Sequence, residues 1–419
     1  MHGRTRTTHR SAVARVLTGS LLVALLAPAV VAAPAAAERG TPECGDTETL
    51  AGAPDLMRTL AAGILLRSWN SAVAEVDVVS AEPRTAALRV WTAPAGTVQK
   101  VRTTLEVDSD AVAAVNGDFF RRSPLGSMPV SDVVVGGQAK YLVPGWVPAL
   151  TVDPRGAMHA TSVHADATVT FRWSDVVKKT VVKSVGGKTV RVTVTTKVAR
   201  VRALRLTSMN TSGKLGPDSA VLYTRTWPTS APAPKHIRVL RTSTRATSSA
   251  TQPPTSAVAS PARPWLALGK KAAARLSGVP RSAVATVTWD IAARDGSTVR
   301  DSVGRGAVLL RDGRVITDCS GDDRPRTAIG WDDRGRTWII TAQEGDRIDV
   351  IGGARMGGTT NFQMAQWLHQ LGATEGVTLD GGGSTDLEVR TSAGLHRADL
   401  PDNAFARLVP NGLIMVPKG

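Results

Sequence analysis

The hydrophobic and polar positions change rhythm several times along the chain. An apolar run from Val16 to Ala33 stands behind Arg4, Arg6, Arg10 and Arg15 and ahead of Ala35-Ala36-Ala37. This is the layout of an export signal, residues 1–37, with cleavage before Glu38. Pro28 and Pro34 break the run, which favours cleavage over a retained membrane anchor. Residues 38–74 read as a polar arm followed by a helix, because Leu56, Leu60, Ile64 and Leu65 recur near helical spacing. From residue 75 the pattern becomes short β-like runs, among them Val76–Val79 and Ala87–Val90. A body is expected over 75–419, with a variable region at about 165–320.

Within that region, residues 167–206 are rich in Val and Thr, interleaved with Lys and Arg and divided by Gly186-Gly187. The pattern predicts a long hairpin with a solvated basic face, the natural place for an insertion or lid. Residues 228–264 are dominated by Ser, Thr, Ala and Pro. Such a stretch has little apolar surface to bury, so a mobile surface loop is expected rather than an interdomain linker. Alternating strands return over 265–318. The last strong pattern begins at Gly357. Thr360 and Gln363 have capping-box spacing, Phe362, Ala365, Leu368 and Leu371 share a helical face, and Gly372 stops the helix. Val377-Thr378-Leu379 then predicts a short strand that delivers Asp380 to its C-terminal end. The fold class expected is α+β, a mixed and largely antiparallel β-sheet body with a few helices, a β-hairpin insertion and a low-complexity loop.

Composition narrows the choice of partners. The 419 residues carry 51 Lys and Arg against 35 Asp and Glu, a formal charge of +16 that falls to +12 when the four signal arginines are removed. The basic residues are dispersed and no nucleic-acid-binding motif accompanies them, so nucleic acid ranks last and anionic envelope polymers remain. Stable membrane insertion after signal cleavage is not expected, and oligomeric state is not legible. Cys44 and Cys319 form an even pair that export would oxidise into a single bridge. No histidine stands at metal-ligand spacing; His159, His164 and His369 read as ordinary surface or packed residues, and no cofactor is expected.

Three blocks carry candidate chemistry. In Leu379-Asp380-Gly381-Gly382-Gly383-Ser384-Thr385, a carboxylate precedes glycines whose bare amides can approach an anion, and two hydroxyls follow. In Asn116-Gly117-Asp118-Phe119-Phe120, the Asn-Gly step is first of all a hairpin turn; the neighbouring rings and polar groups are alternatively the wall and edge of a sugar pocket. In Arg324-Pro325-Arg326-Thr327-Ala328-Ile329-Gly330-Trp331, Arg326 is either a solvated strand residue or a planar fork for phosphate. Ser384 lacks the spacing of a hydrolase nucleophile elbow.

Together, and in this order, these blocks resemble the phosphodiester glycosidase family. Weaker matches are Leu206–Asn210 before Val221–Thr224, and Arg407-Leu408-Val409 before Asn411-Gly412-Leu413. Asp118 and Asp386 stand where many relatives carry small or apolar residues. The resemblance implies hydrolysis of a sugar-1-phosphodiester at the anomeric carbon. It implies Asp380 as nucleophile or water-activating base, and Arg326 with the amides of Gly381, Gly382 and Gly383 as the phosphate grip, with Ser384 or Thr385 as donors. Asn116 and Asp118 would bind sugar hydroxyls or supply a second carboxylate, and Arg407 would orient Asp380. A carboxyl separation of roughly 5 to 5.5 Å would predict retention and roughly 6.5 to 9.5 Å inversion. The alternative function is a non-catalytic binding or scaffold protein for anionic cell-envelope glycans.

Overall fold

Strands buried on both sides need apolar residues at consecutive positions, and the centre of this protein is built from two such runs. Glu75–Ala81 and Thr337–Gln343 pair antiparallel, with Val78 opposite Ile340 and Val79 opposite Ile339. Val78, Ile340 and Ala328 turn to one side, where Met364, Ala365, Trp367 and Leu368 of the helix Asn361–Gln370 cover them. Val79, Ile339, Ile329 and Val377 turn to the other and meet Val115, Leu413 and Met415 of a second sheet. The computed structural model describes residues 49–50, 52–70, 74–123, 126–211, 215–224, 236–242, 264–319, 323–343, 358–399 and 406–418. All of them fall in one unit, residues 42–419.

The first sheet has eight strands in the order Leu56–Ala61, Ile64–Asn70, Glu75–Ala81, Thr337–Gln343, Arg326–Trp331, Glu375–Thr378, Val308–Arg311, Arg314–Val315. The second has five, ordered Gly394–Arg397, Leu387–Thr391, Ala113–Asn116, Asn411–Pro417, Ala86–Thr92. Both are antiparallel throughout. Three α-helices accompany the sheets among the described residues, Val101–Val107, Lys270–Arg275 and Asn361–Gln370. This is the α+β, mostly antiparallel body that the sequence predicts.

The helix expected before residue 74 is absent. Its place is taken by a hairpin of Leu56–Ala61 and Ile64–Asn70. Gly63, at φ +69°, reverses the chain in the middle of the supposed helix, and Ile64, Leu66 and Ser68 then alternate inward as strand residues. The long hairpin is present as Met158–Val185 with Lys188–Arg205, turning at Gly186-Gly187. Most of 228–264 lies outside the described residues, as do the signal segment and Cys44. The exception is His236–Val239, which joins Trp265–Leu268 as a strand, with Arg241–Thr242 pairing alongside Val284 and Ala285; that part of the stretch is sheet rather than loop. The C-terminal helix follows its sequence signals: Thr360 Oγ1 accepts from the Gln363 amide at 3.1 Å, and Gly372 at φ +94° lies just past the end.

Candidate active site

The two central sheets meet where Arg326–Trp331, Glu375–Thr378 and Ala113–Asn116 end together. Arg326–Trp331 and Glu375–Thr378 pair with Ala328 opposite Thr378, and the Leu379 amide donates to the Thr327 carbonyl at 2.9 Å. The ladder ends there, and the chain turns so that a Cβ on Gly381 would stand 3.7 Å from Arg326 Cα. The Asp380 amide donates to the Gly117 carbonyl at 2.8 Å, and the Gly382 amide to the Pro325 carbonyl at 2.7 Å. The three blocks that the sequence singles out therefore converge.

Asp380 is the partly exposed carboxylate of this group. It accepts from its neighbour's amide, Gly381, at 3.0 Å and from the Ser384 hydroxyl. Arg407 donates from Nη1 to Ser384 Oγ at 3.2 Å and lies close enough to act on Asp380 by charge. Burial raises the Asp380 proton affinity above the ordinary carboxylate range, while Ser384, Gly381 and Arg407 oppose it. Gly383 makes this arrangement possible. A Cβ there would stand 2.7 Å from Arg407 Nη2, so any side chain would push the guanidinium off Ser384. Arg326 donates from Nε to the Thr359 carbonyl at 2.5 Å, which fixes its stem at the mouth of the same turn.

Several expected roles change. Asn116 is fully buried and its amide is spent on the protein: Nδ2 donates to the Asp380 carbonyl at 2.7 Å, and Oδ1 accepts from Thr327 Oγ1 at 2.7 Å and from the Asp386 amide at 3.3 Å. It positions the turn and does not reach a sugar. The Asn-Gly step is no hairpin turn either, since Ala113–Asn116 pairs with Leu387–Thr391 and Asn411–Pro417 and the nearby hairpin is Phe120–Ser123 with Gly126–Pro129. Gly117 instead packs where a Cβ would meet Asn411 Oδ1 at 2.4 Å, the atom that accepts from the Asp118 amide. Of the paired rings, Phe119 is exposed beside Gly306 and Thr378, whereas Phe120 packs against Trp91 and Val101.

Ser384 and Thr385 are buried as well and cannot both face a phosphate. Ser384 links Arg407 to Asp380, and the Thr385 carbonyl accepts from Arg397 at 3.2 Å. The expected cradle of three glycine amides narrows too. Gly381 donates to Asp380 and Gly382 to Pro325, so among the described residues only the Gly383 amide of the three has no acceptor within the protein.

Asp118 is sealed rather than presented. Its Oδ2 accepts from the Ser131 amide at 3.0 Å, its Oδ1 is buried without a hydrogen-bond partner, and Gly304 lies against it. Burial first, with the Asp380 charge adding to it, pushes its proton affinity up to about 8. At neutral pH it is a neutral acid and does not repel an anion. Burial likewise lifts Asp132 to about 7 and Asp386 to about 8, the latter helped by Asp399 and opposed by Arg397. A folded state that holds protons the unfolded chain has released loses stability as pH rises, here between about pH 4 and 8. Each such group steepens the decline by up to about 1.4 kcal/mol per pH unit. Urea unfolding at pH 5 and pH 7.5 is therefore expected to show a smaller loss for Asp118→Asn than for the parent; equal losses would mean that Asp118 is ionised at neutral pH.

Behind this cluster lies a second buried group that sequence reasoning passed over. Arg397 lies 3.0 Å from Asp399 and 3.2 Å from Asp386, and Glu388 and the Gln343 side chain, which donates to Asp399, complete the set. The histidines named above are ordinary where described: His159 faces Asp295 at 3.4 Å and His164 faces the Gly145 carbonyl. A cavity of about 330 Å³ between Arg121, Val130, Val143, Thr207 and Val221 includes none of the residues around Asp380.

Arg326, the Asp380 turn and Arg407 all lie inside one stretch whose sequence has known relatives. Residues 244–416 match the phosphodiester glycosidase family. The match leaves out Asn116 and Asp118, which join the domain through the sheet pairing. No curated protein matches the chain. Among solved structures, a hypothetical protein from Synechocystis is similar with a TM-score of 0.55 and 18% identity, over 86% of this chain and 63% of that one. This chain thus spans less than two thirds of the Synechocystis protein. A Burkholderia pseudomallei protein designated as exported gives a TM-score of 0.51 and 20% identity over 82% of this chain and 74% of its own. The zebrafish N-acetylglucosamine-1-phosphodiester α-N-acetylglucosaminidase catalytic domain, auto-inhibited by its pro-peptide, gives 0.40 and 10% identity over 85% and 82%. The likenesses to the Synechocystis and Burkholderia proteins concern the fold.

Proposed function

We propose that this phosphodiester glycosidase-like chain is an exported hydrolase that cleaves the glycosidic bond of a sugar-1-phosphodiester in an envelope or extracellular glycan. The observation that carries the reading is the turn after Asp380, which packs Gly381 against the Arg326 backbone and holds Arg407 over Gly383 beside Ser384. A carboxylate with the Arg407 guanidinium acting on it, in a turn that packs against the backbone of a second arginine, suits a substrate whose reacting carbon becomes positive while its neighbouring phosphate stays negative.

In this account Asp380 faces the anomeric carbon, as nucleophile or as the base that activates water. Ser384 and the Gly381 amide hold the carboxylate in place. Arg326 and the Gly383 amide take the departing phosphate, and Arg407 balances the charge of Asp380 between the two. A phosphomonoester leaves more readily than an alcohol, so the demand for a strong general acid is small. That fits a site whose second carboxyl, Asp118, is walled in. The export signal read at residues 1–37 would place the protein outside the cytoplasm and oxidise Cys44 with Cys319.

The test is selective loss. Arg326→Ala is expected to lower kcat/KM on a sugar-1-phosphodiester by about 10²-fold, and on an uncharged aryl glycoside of the same sugar by less than about fivefold. Equal losses on the two substrates would remove the phosphate grip from Arg326.

A further inference from the structure

The hairpin Met158–Val185 with Lys188–Arg205 outruns the sheet it belongs to. Its first strand pairs with Val284–Ala293 only as far as Arg172, and its second pairs with nothing but the first among the described residues. From Trp173 to the turn at Gly186-Gly187 it is a bare two-stranded ribbon reaching about 40 Å at roughly 3.3 Å per residue. Residues 172–205 hold ten Lys and Arg against one acid, Asp175, which Arg200 already occupies at 3.0 Å. Lys178, Lys179, Lys183, Lys188, Arg191 and Lys197 are exposed and form no ion pair among the described residues. Seven of the ten fall within residues 173–200, the ribbon itself, which puts a net charge of +6 on one projection.

The ribbon is also apolar. The register, with Lys183 opposite Val190 and Val181 opposite Val192, sets Val177, Val181, Val185, Val190, Val192 and Val194 on one face. Near the tip of this face Val185 and Val190 are 61% and 41% exposed. A partner must therefore be negatively charged and must also take up aliphatic side chains. A second copy of the chain would bring the same positive charge against this one. A soluble polyanion would match the lysines and leave the valines in water. An anionic bilayer meets both demands, because lysines reach headgroups while valines enter the boundary below them. We propose that this ribbon docks the protein on an anionic lipid surface, peripherally and independently of the Asp380 site.

The probe is cosedimentation of the purified protein with vesicles of phosphatidylglycerol and phosphatidylcholine, or of phosphatidylcholine alone, across a salt series. Binding is expected on the anionic vesicles only, weakening with salt. Lys179→Glu, Lys183→Glu and Lys188→Glu combined should reduce partitioning on the order of a hundredfold. Val177→Ser, Val185→Ser and Val190→Ser combined should reduce it at least about tenfold, with melting curves like the parent's confirming that both variants fold. Absence of binding to anionic vesicles would overturn the proposal. So would a valine variant that binds them unchanged while soluble polyphosphate competes fully, a result that would assign the ribbon to a polymer.

Discussion

Asp380→Asn is expected to lower kcat on a sugar-1-phosphodiester by about 10³-fold or more while leaving the affinity for substrate within about threefold of the parent. Asn keeps the size of the side chain and its place between Gly381 and Ser384, so the turn survives and the negative charge is lost. Charge is what the reaction needs, because the anomeric carbon becomes positive in the transition state while the ground-state sugar is neutral there. The loss should accordingly fall on kcat. Single-turnover kinetics with the parent and the variant separate the two constants. Unchanged turnover in the Asn variant would move the reacting group elsewhere. Unchanged binding with no hydrolysis by either form would instead favour the non-catalytic, glycan-binding reading.

Arg397→Met is expected to cost about 3 to 5 kcal/mol of stability, the usual result of removing one partner from a buried ion-pair group. Arg397 is buried and lies between Asp386 and Asp399, with Glu388 nearby, and its Nη2 donates to the Thr385 carbonyl. Without it Asp386 and Asp399 lose the cation between them, and the carboxylate that it holds ionised must take up a proton. The variant's defect should therefore shrink as the pH falls from 7.5 to 5, since protonation removes the unpaired charge. Urea unfolding at the two pH values reads this directly. A defect of under about 1 kcal/mol, or one that grows on acidification, would show that Arg397 does not neutralise the group. Because Thr385 closes the glycine turn, the same change should loosen the backbone that carries Asp380.

How much of this was visible in the sequence depends on whether the signal was local. The helix Asn361–Gln370, its Thr360 cap, its Gly372 stop and the strand leading to Asp380 are set by neighbours within a few residues, and they stand where the pattern puts them. The ribbon was legible for the same reason, since alternation of Val and Thr about Gly186-Gly187 is a short-range code. The segment from Leu56 to Leu65 was not, because its leucines fit both a helical and a β period, and one turn at Gly63 decides between them. Within the site, residue types were readable but burial was not. Asn116, Asp118, Ser384 and Thr385 look like substrate ligands in a motif. Only the meeting of strands far apart in the chain shows that Asn116 serves Asp380 and that Asp118 is closed off by Ser131 and Gly304. The closeness of the Arg326 backbone to the turn after Asp380 is of the same kind: it exists through strand pairing that no spacing encodes. Arg397, Glu388 and Asp399 carried no motif, and Asp386 stood out only as a departure from the family pattern; acids near one arginine read as ordinary surface until burial is known.

The most direct test follows the oxygen. The protein would be incubated with a sugar-1-phosphodiester in water enriched in ¹⁸O, and the products analysed by mass spectrometry. Attack at the anomeric carbon predicts free reducing sugar carrying the label at its anomeric hydroxyl, together with an unlabelled phosphomonoester. Label in the phosphate, with sugar phosphate or alcohol released instead, would place the reaction at phosphorus and contradict the role given to Asp380.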